Sequence, residues 1–186
     1  MGKYRNLNDN IKNYKGVVFD LDGTLVNLNV NWRELKKNLF EFVKKEKGEE
    51  VNFTPLDQKI NQLRGKYGDF FYSQLLEIVS RFELCEERYE LNHDLIDLLN
   101  KLKNKKIAIY SMNTRRCVEN FIQKNLIKKP DIEIVKDDCT EPKPTGKDLK
   151  KILNIWKMNV EDVIYIGDLE KDRLSGEKAN IKTYII

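Results

Sequence analysis

Residues 17–26 read VVFDLDGTLV, a short apolar run that ends in two aspartates one residue apart and continues into Gly-Thr. The continuous run VVF is typical of a strand that is buried on both faces of a sheet, and the polar DLDG predicts its end and a turn. In extended backbone, residues i and i+2 point to the same side. The carboxylates of Asp20 and Asp22 are therefore expected to approach one reacting group.

The length and composition exclude several classes of protein. The 186 residues suit one compact domain, or a core with a small inserted subdomain. No apolar stretch approaches the roughly 20 residues of a membrane-spanning helix, and no signal-peptide core precedes the first strand, so we expect a cytoplasmic protein without a membrane partner. The net charge of +4 comes from basic residues interleaved with acidic ones, which argues against nucleic-acid binding. The three cysteines lack CxxC spacing and predict neither disulfides nor a zinc site.

The segment after the first strand has helical periodicity. Apolar residues recur at helical spacing over residues 31–47, and a second helix is predicted with Thr54 as N-cap and Pro55 at its first position. The pattern fades near Gly68 and resumes from Asp69, which predicts a third helix. We therefore expect residues 26–90 to form a helical insert.

Helix and strand patterns alternate from residue 91 onward. The strand-like runs are KIAIYS, IEIV, VIYIG and KTYII, with helical periodicity between them. Such alternation predicts a mostly parallel sheet with helices on both faces. Together with the first strand, it predicts a Rossmann-like α/β core, a three-layer sandwich built from residues 1–25 and 91–186, that carries a small α-helical cap at residues 26–90.

Polar residues follow the apolar runs of this predicted sheet, where ligands bind in open α/β proteins. The set comprises Asp20, Asp22, Ser111, Lys143, Asp168 and Asp172. Two close carboxylates repel each other unless a cation lies between them, and Mg²⁺ prefers carboxylate oxygens such as those of Asp20 and Asp168. Lys143 adds a positive charge, and Ser111 at a helix start offers hydroxyl and N–H donors. The set therefore favours a phosphate ligand.

The segments DLDGT, the strand-terminal Ser111, EPKPTG and GDLEKD, in this order, resemble the four motifs of the haloacid dehalogenase superfamily, in its phosphatase branch. The resemblance covers Val17 to the C-terminus. The insert is similar to the small helical cap of the phosphoglycolate phosphatase and β-phosphoglucomutase-like group. The resemblance implies that Asp20 is a nucleophile that forms an aspartyl-phosphate, and that Asp22 is the general acid and then the general base.

The same resemblance implies roles for the remaining motif residues. Ser111 and Lys143 would hold the phosphoryl oxygens, with Asn113 as a further phosphate-binding candidate. Mg²⁺ would be held by Asp20, by the backbone carbonyl of Asp22 and by Asp168, with Asp172 acting behind them.

In the insert, the loop RGKYGDF carries Arg64 and Lys66 and is a candidate substrate-facing loop. An ordinary interhelical turn is the alternative.

The expected function is Mg²⁺-dependent hydrolysis of a small phosphorylated metabolite. Family members that cleave carbon–halogen bonds or act as P-type ATPases lack an acid at the position of Asp22, as the resemblance implies. Phosphomonoesterases and phosphomutases keep it. A phosphomutase with the same nucleophile, or a regulatory protein without turnover, remains open, and the sequence names neither the substrate nor the oligomeric state.

Overall fold

The computed structural model describes residues 5–84 and 89–186. Beyond the insert, helices and strands alternate along the chain, as the sequence predicts. In chain order they are α1 (Arg5–Ile11), β1 (Gly16–Phe19), β2 (Val26–Leu28), α2 (Trp32–Lys47), α3 (Leu56–Glu83), β3 (Tyr89–Leu91), α4 (His93–Lys101), β4 (Lys106–Tyr110), α5 (Arg115–Gln123), β5 (Ile132–Ile134), α6 (Lys147–Trp156), β6 (Val163–Gly167), α7 (Glu170–Ala179) and β7 (Lys182–Ile185). Short 3₁₀ turns cover Lys136–Asp138 and Val160–Asp162.

A five-stranded parallel sheet of order β5-β4-β1-β6-β7 forms the centre of the molecule. Strand β1 lies between β4 and β6, so that Phe19 pairs with Ile109 on one side and Ile166 on the other. The strand order reverses between β1 and β6, and in such sheets ligands bind outside the carboxyl ends at this switch point. Asp20 directly follows β1 and Asp168 directly follows β6, so the topology brings both aspartates to this crevice.

The side chains of the central strands alternate between two apolar clusters. Val17 and Phe19 pack into a cluster with α1, α4 and α5, whereas Val18 packs into a second cluster with α6 and α7. This alternation follows from the two-residue period of a strand. Burial on both faces explains the unbroken apolar run and confirms the three-layer α/β arrangement.

Helix α1 is absent from the sequence-based prediction, because its segment is mostly polar. Leu7 and Ile11 lie four residues apart, on one face of the helix, and both are buried in the first cluster. Two apolar residues are too few to establish a period in the sequence.

Helices α2 and α3 lie in the insert and build a third apolar cluster. Asn31 accepts a hydrogen bond from the Glu34 N–H and caps the start of α2, and Gly48, at φ 69°, ends the helix. Strands β2 and β3 pair antiparallel, with Val26 opposite Leu91, and join the two ends of the insert. The sequence does not predict this ribbon.

The two helices predicted from Thr54 and Asp69 are one element, α3, interrupted at Gly68 (φ 82°, ψ 177°). Pro55 occupies the N-cap position predicted for Thr54, whose hydroxyl instead accepts a hydrogen bond from Lys36 Nζ. Cys85 lies outside the described residues, while Cys117 and Cys139 are buried free thiols. Among residues 5–84 and 89–186, no helix is both long and apolar enough to cross a membrane.

Candidate active site

The carboxyl ends of β1, β4 and β6 open into a cavity of about 370 Å³. Predicted site residues from separate parts of the chain meet in its wall: Asp20, Asp22, Ser111, Asn113 and Asp168. Lys143 and Asp172 lie directly behind the cavity wall. Both side chains are fully buried, and Lys143 contacts Asp20, which lines the cavity.

Lys143 connects two carboxylates in the core. Its Nζ lies 2.7 Å from Asp20 Oδ1 and 2.8 Å from Asp172 Oδ1. Asp172 also accepts hydrogen bonds from the Tyr165 hydroxyl at 2.7 Å and from the Leu169 N–H at 3.0 Å. These contacts hold the side chain of Asp20 in one orientation at the floor of the cavity.

The charges of this cluster shift one another's pKa values. Burial raises the pKa of Asp20, and the nearby Asp172 carboxylate adds to the rise, although Lys143 opposes it. Burial alone would also raise the pKa of Asp172, but Lys143 holds it below its usual value. The two carboxylates hold the pKa of Lys143 above its usual value against the opposing effect of burial. Lys143 therefore stays charged, and Asp172 is the carboxylate that it neutralises most.

Asp168 projects toward Asp20 from the neighbouring strand. Burial, followed by repulsion from Asp20 and Asp172, raises the pKa of Asp168 to about 6. Its Oδ1 lies 3.5 Å from the Thr24 hydroxyl. Gly23 permits this approach, since a Cβ at position 23 would lie 2.1 Å from Asp168 Oδ2. The glycine of the DGT segment is thus required by the carboxylate opposite it, as well as by its own φ of 84°.

Asp22 is held by the first strand of the insert. Its Oδ1 accepts a hydrogen bond of 2.8 Å from the Leu28 N–H. Burial raises the pKa of Asp22, and the charge of Asp20 adds to the rise, while the Leu28 hydrogen bond opposes it. With a raised pKa, the Asp22 carboxyl keeps its proton to a higher pH than an exposed aspartic acid does, which suits a general acid.

Ser111 and Asn113 form one hydrogen-bonded unit after β4. The Ser111 hydroxyl donates to Asn113 Oδ1 at 2.6 Å, and the Asn113 N–H donates to Ser111 Oγ at 3.2 Å. Asn113 Nδ2 in turn donates to Glu83 Oε1 at 3.1 Å, and the Thr114 N–H donates to Glu83 Oε2 at 2.9 Å. Glu83 belongs to the insert, so the loop of the second motif is bonded across the boundary between core and insert.

Other residues that line the cavity were not predicted from sequence. They include Trp32, Leu56 and Asp57 from the insert and Lys136, Leu169 and Lys171 from the core. Lys136 Nζ lies 2.7 Å from Asp57 Oδ1, which joins the end of β5 to the start of α3. Burial opposes the charge of Lys136, but Asp57 and Glu83 keep its pKa above the usual value. Lys136 comes two residues after β5, so the rule that selected Ser111 was also able to find it.

Arg64 and Lys66 do not line this cavity. Arg64 donates to the backbone carbonyl of Cys139 at 3.0 Å and pairs with Asp69, and its guanidinium lies over the Tyr72 ring. Lys66 pairs with Glu49. Arg64 is therefore held against the core, whereas the Lys66 side chain is 56% exposed at the surface. A direct contact between this loop and a substrate stays a prediction.

The acidic residues fit a divalent cation. Ligand oxygens of Asp20, Asp168 and Asp172 lie within 4.8 Å of one another. Burial is the largest cause of the raised pKa of Asp168, and repulsion from the carboxylates of Asp20 and Asp172 adds to it. Oxygen-only donors of this kind are typical ligands of Mg²⁺. Both oxygens of Asp172 already accept hydrogen bonds, Oδ1 from Lys143 and Tyr165 and Oδ2 from the Leu169 N–H, whereas Lys143 bonds only Oδ1 of Asp20. Asp20 and Asp168 are therefore the side chains available for the ion.

The fold and the acidic crevice define a Rossmann-like α/β protein with its site at the switch point of a parallel sheet. A family model described as haloacid dehalogenase-like hydrolase matches residues 17–186, and the chain belongs to this family. The pyrophosphatase PpaX of Bacillus cereus is 27% identical over 185 residues, covering 90% of this chain and 80% of the relative.

Solved structures show the same fold. One from Bacteroides fragilis, described as a haloacid dehalogenase-like hydrolase, superposes with a TM-score of 0.63 at 22% identity and covers 91% of this chain and 86% of that chain. A predicted phosphoglycolate phosphatase from Haemophilus somnus gives a TM-score of 0.60 at 16% identity, with 92% and 84% coverage. The expected family and fold class are confirmed.

Proposed function

We propose that this hydrolase is a Mg²⁺-dependent phosphatase that cleaves small phosphate monoesters through an aspartyl-phosphate on Asp20. The observation that carries the proposal is the arrangement of Asp20, which lines the cavity while Lys143 and Asp172 hold it from behind. Nucleophilic catalysis needs a reactive group that its neighbours orient in this way. The names of the relatives, a pyrophosphatase and a phosphoglycolate phosphatase, support the same class of chemistry.

Mg²⁺ would be held by the side chains of Asp20 and Asp168 and by the backbone carbonyl of Asp22. When bound, the ion supplies neutralisation of the negative charge on the carboxylates and on the phosphoryl oxygens. Lys143 supplies a fixed positive charge beside Asp20, and Ser111 is the proposed donor to the phosphoryl oxygens. The Asn113 side chain is bonded to Ser111 and Glu83, and it acts on the phosphate through the Ser111 hydroxyl.

The reaction proceeds in two displacements. In the first, an oxygen of Asp20 forms a bond to phosphorus while the bond to the leaving oxygen breaks, and Asp22 gives its proton to that oxygen. In the second, Asp22 takes a proton from water, the water oxygen attacks phosphorus, and the bond to Asp20 breaks to release inorganic phosphate. The raised pKa of Asp22 supports its role as acid in the first step.

We further propose that residues 26–90 act as a cap over this site. Asp57 from the insert pairs with Lys136 from the core, and the Tyr72 hydroxyl donates to the Lys136 carbonyl at 2.6 Å. Such contacts allow the insert to exclude water from the reacting group. The buried free thiols Cys117 and Cys139 support action in the reducing cytoplasm.

Turnover of p-nitrophenyl phosphate and of pyrophosphate with Mg²⁺ tests the proposal. We expect phosphate release that EDTA abolishes and that Asp20→Asn lowers on the order of 10⁴-fold or more. Asp97→Asn removes an exposed carboxylate of α4 and serves as the matched control with unchanged activity. Retention of activity in Asp20→Asn contradicts the proposal. Isomerisation of a sugar phosphate without net phosphate release selects a phosphomutase, and a folded protein inactive on a broad panel of phosphoesters favours a regulatory role.

A further inference from the structure

The last residue of α3, Glu83, is a buried carboxylate that the proposed chemistry does not use. Its residue is 7% exposed, and in sequence it lies at the opposite end of α3 from Asp57. It faces the core loop 111–114, which carries the proposed phosphate ligand Ser111. An acidic residue at this position of an otherwise apolar helix face needs partners that offset its burial.

Glu83 has such partners in residues 111–114, which we call the phosphate loop. Its Oε1 accepts a hydrogen bond of 3.1 Å from Asn113 Nδ2, and its Oε2 accepts from the N–H and the hydroxyl of Thr114, at 2.9 and 2.5 Å. Thr114 is the N-cap residue of α5, but its own side chain makes no capping bond. A carboxylate of the insert thus occupies the start of a core helix, where it also interacts favourably with the helix dipole.

The contact with Glu83 fixes the direction of a hydrogen-bond chain. The Glu83 carboxylate accepts all three of these hydrogen bonds, so the amide nitrogen of Asn113 faces Glu83 and its Oδ1 faces Ser111. The Ser111 hydroxyl has one hydrogen, which it donates to Asn113 Oδ1 at 2.6 Å. That hydrogen is therefore engaged when a phosphoryl oxygen arrives, and the ligand competes with Asn113 for it.

We propose that Glu83 is a positioning residue of the phosphate site, which sets through the Asn113 amide whether the Ser111 hydroxyl hydrogen points to Asn113 or to the bound phosphoryl group. The inference rests on the proposed function, because it takes Ser111 as a phosphate ligand. It makes phosphate binding sensitive to the position of the insert, since α3 carries the carboxylate that orients the chain.

Substitution Glu83→Gln should reverse the direction of this hydrogen-bond chain. The new amide oxygen accepts from the Thr114 N–H, so its nitrogen points at Asn113. The Asn113 amide then turns to accept this bond, and its nitrogen donates to Ser111 Oγ. The Ser111 hydrogen is now free for a phosphoryl oxygen. Because one hydrogen bond contributes a modest net free energy, we expect phosphate to bind about two- to tenfold more tightly.

Calorimetric titration of the whole protein with inorganic phosphate, at constant Mg²⁺, measures this effect without turnover. Glu83→Gln should tighten binding, and the gain should vanish in the Ser111→Ala background. Glu77→Gln is the matched control, because Glu77 lies on the same helix and contacts the core through Arg116, but has no bond to the phosphate loop. It should leave phosphate affinity unchanged.

The opposite results overturn the inference. Unchanged or weaker phosphate binding by a folded Glu83→Gln protein contradicts it, as does an equal gain in the Ser111→Ala background. Where Glu83→Gln does not fold, Asn113→Ala replaces it: removal of the acceptor Oδ1 must tighten phosphate binding, and weaker binding contradicts the inference. Absence of phosphate binding by the unmodified protein also overturns it, whereas phosphate binding without any turnover overturns only the proposed hydrolysis.

Discussion

Two buried lysines, Lys143 and Lys136, have similar surroundings, but they connect different parts of the molecule. Both ammonium groups are buried, and in each case two carboxylates keep the pKa above its usual value. The carboxylates around Lys143 come from the residue after β1 and from α7, both in the sheet core. Those around Lys136 both come from α3, in the insert. The Lys143 cluster therefore holds Asp20, the proposed nucleophile, within the core, and the Lys136 cluster connects the insert to the core.

The difference is visible in the burial of the carboxylates. The side chains of Asp20 and Asp172 are 5% and 0% exposed, whereas the side chain of Asp57 is 20% exposed and lines the cavity. Water can replace a lost partner of Asp57 more readily than a lost partner of Asp172. We therefore expect the stability of the fold to depend most on the cluster around Lys143. The cluster around Lys136 is the one that a ligand or a motion of the insert can change.

Substitution Lys143→Met should produce the largest effect. Removal of one member of a buried ion pair leaves an uncompensated charge and costs about 3–5 kcal/mol. We expect the free energy of unfolding in urea, at pH 7 without Mg²⁺, to fall by about this amount. We also expect turnover to fall about 10²- to 10³-fold with the loss of a fixed charge beside the nucleophile. Lys150→Met, on the exposed face of α6, is the control that should change neither quantity.

Substitution Lys136→Met should have a smaller effect than Lys143→Met in the same urea unfolding experiment. Water reaches Asp57, and Glu83 keeps its hydrogen bonds to Asn113 and Thr114. The loss of stability should therefore be smaller, about 1–2 kcal/mol, and hydrogen exchange should increase in α3 rather than in β1. Equal losses of stability in the two lysine variants, or increased exchange in β1, would show that the two clusters have the same role.

The central sheet was predictable because its signals are local. The run VVF is apolar at every position because both faces of β1 are covered, and the aspartates follow it where the strand ends. The same logic holds for Ser111 and Asp168, which come directly after β4 and β6. The end of a strand can be located in the sequence without knowing any tertiary contact. The family and the fold class were therefore predictable from these positions.

The wall formed by the insert was not predictable in the same way. Asp57 resembles any acidic residue in the first turn of a helix, and nothing in its neighbours indicates that it pairs with Lys136. Glu83 lies four residues after the buried Val79 and seven after Leu76, on the apolar face of α3. A charge on such a face is a usable signal for a buried polar contact, but the partner across the boundary depends on how the insert packs.

Substitution Gly23→Ala should produce a smaller effect than the lysine substitutions, and it should act on Asp168 in the core. A Cβ at this position would lie 2.1 Å from Asp168 Oδ2, and the backbone has φ 84°. The carboxylate must move, so we expect the affinity for Mg²⁺ to fall about 10- to 100-fold, as it does when groups that orient metal ligands are lost. Calorimetric titration with Mg²⁺ measures this change.

Gly48→Ala is the matched control for Gly23→Ala. Gly48 also has a positive φ, 69°, but a Cβ there would meet nothing within 4 Å. Both variants share the backbone strain, about 1–2 kcal/mol, and only Gly23→Ala has the clash. A similar loss of Mg²⁺ affinity in both proteins would assign the effect to strain and not to Asp168.

The pH dependence of Mg²⁺ affinity should show the smallest effect. Asp168 has its pKa raised to about 6, so a proton competes with the ion below this pH. From this pKa, we expect the affinity to fall about tenfold from pH 7 to pH 5. The sign for stability is opposite: a carboxylate with a raised folded pKa favours the protonated fold, so the metal-free protein gains stability from this group as the pH falls from about 6 toward 4. Circular dichroism at each pH verifies that the fold is intact, and an Mg²⁺ affinity that stays constant between pH 7 and pH 5 would exclude Asp168 as the titrating ligand.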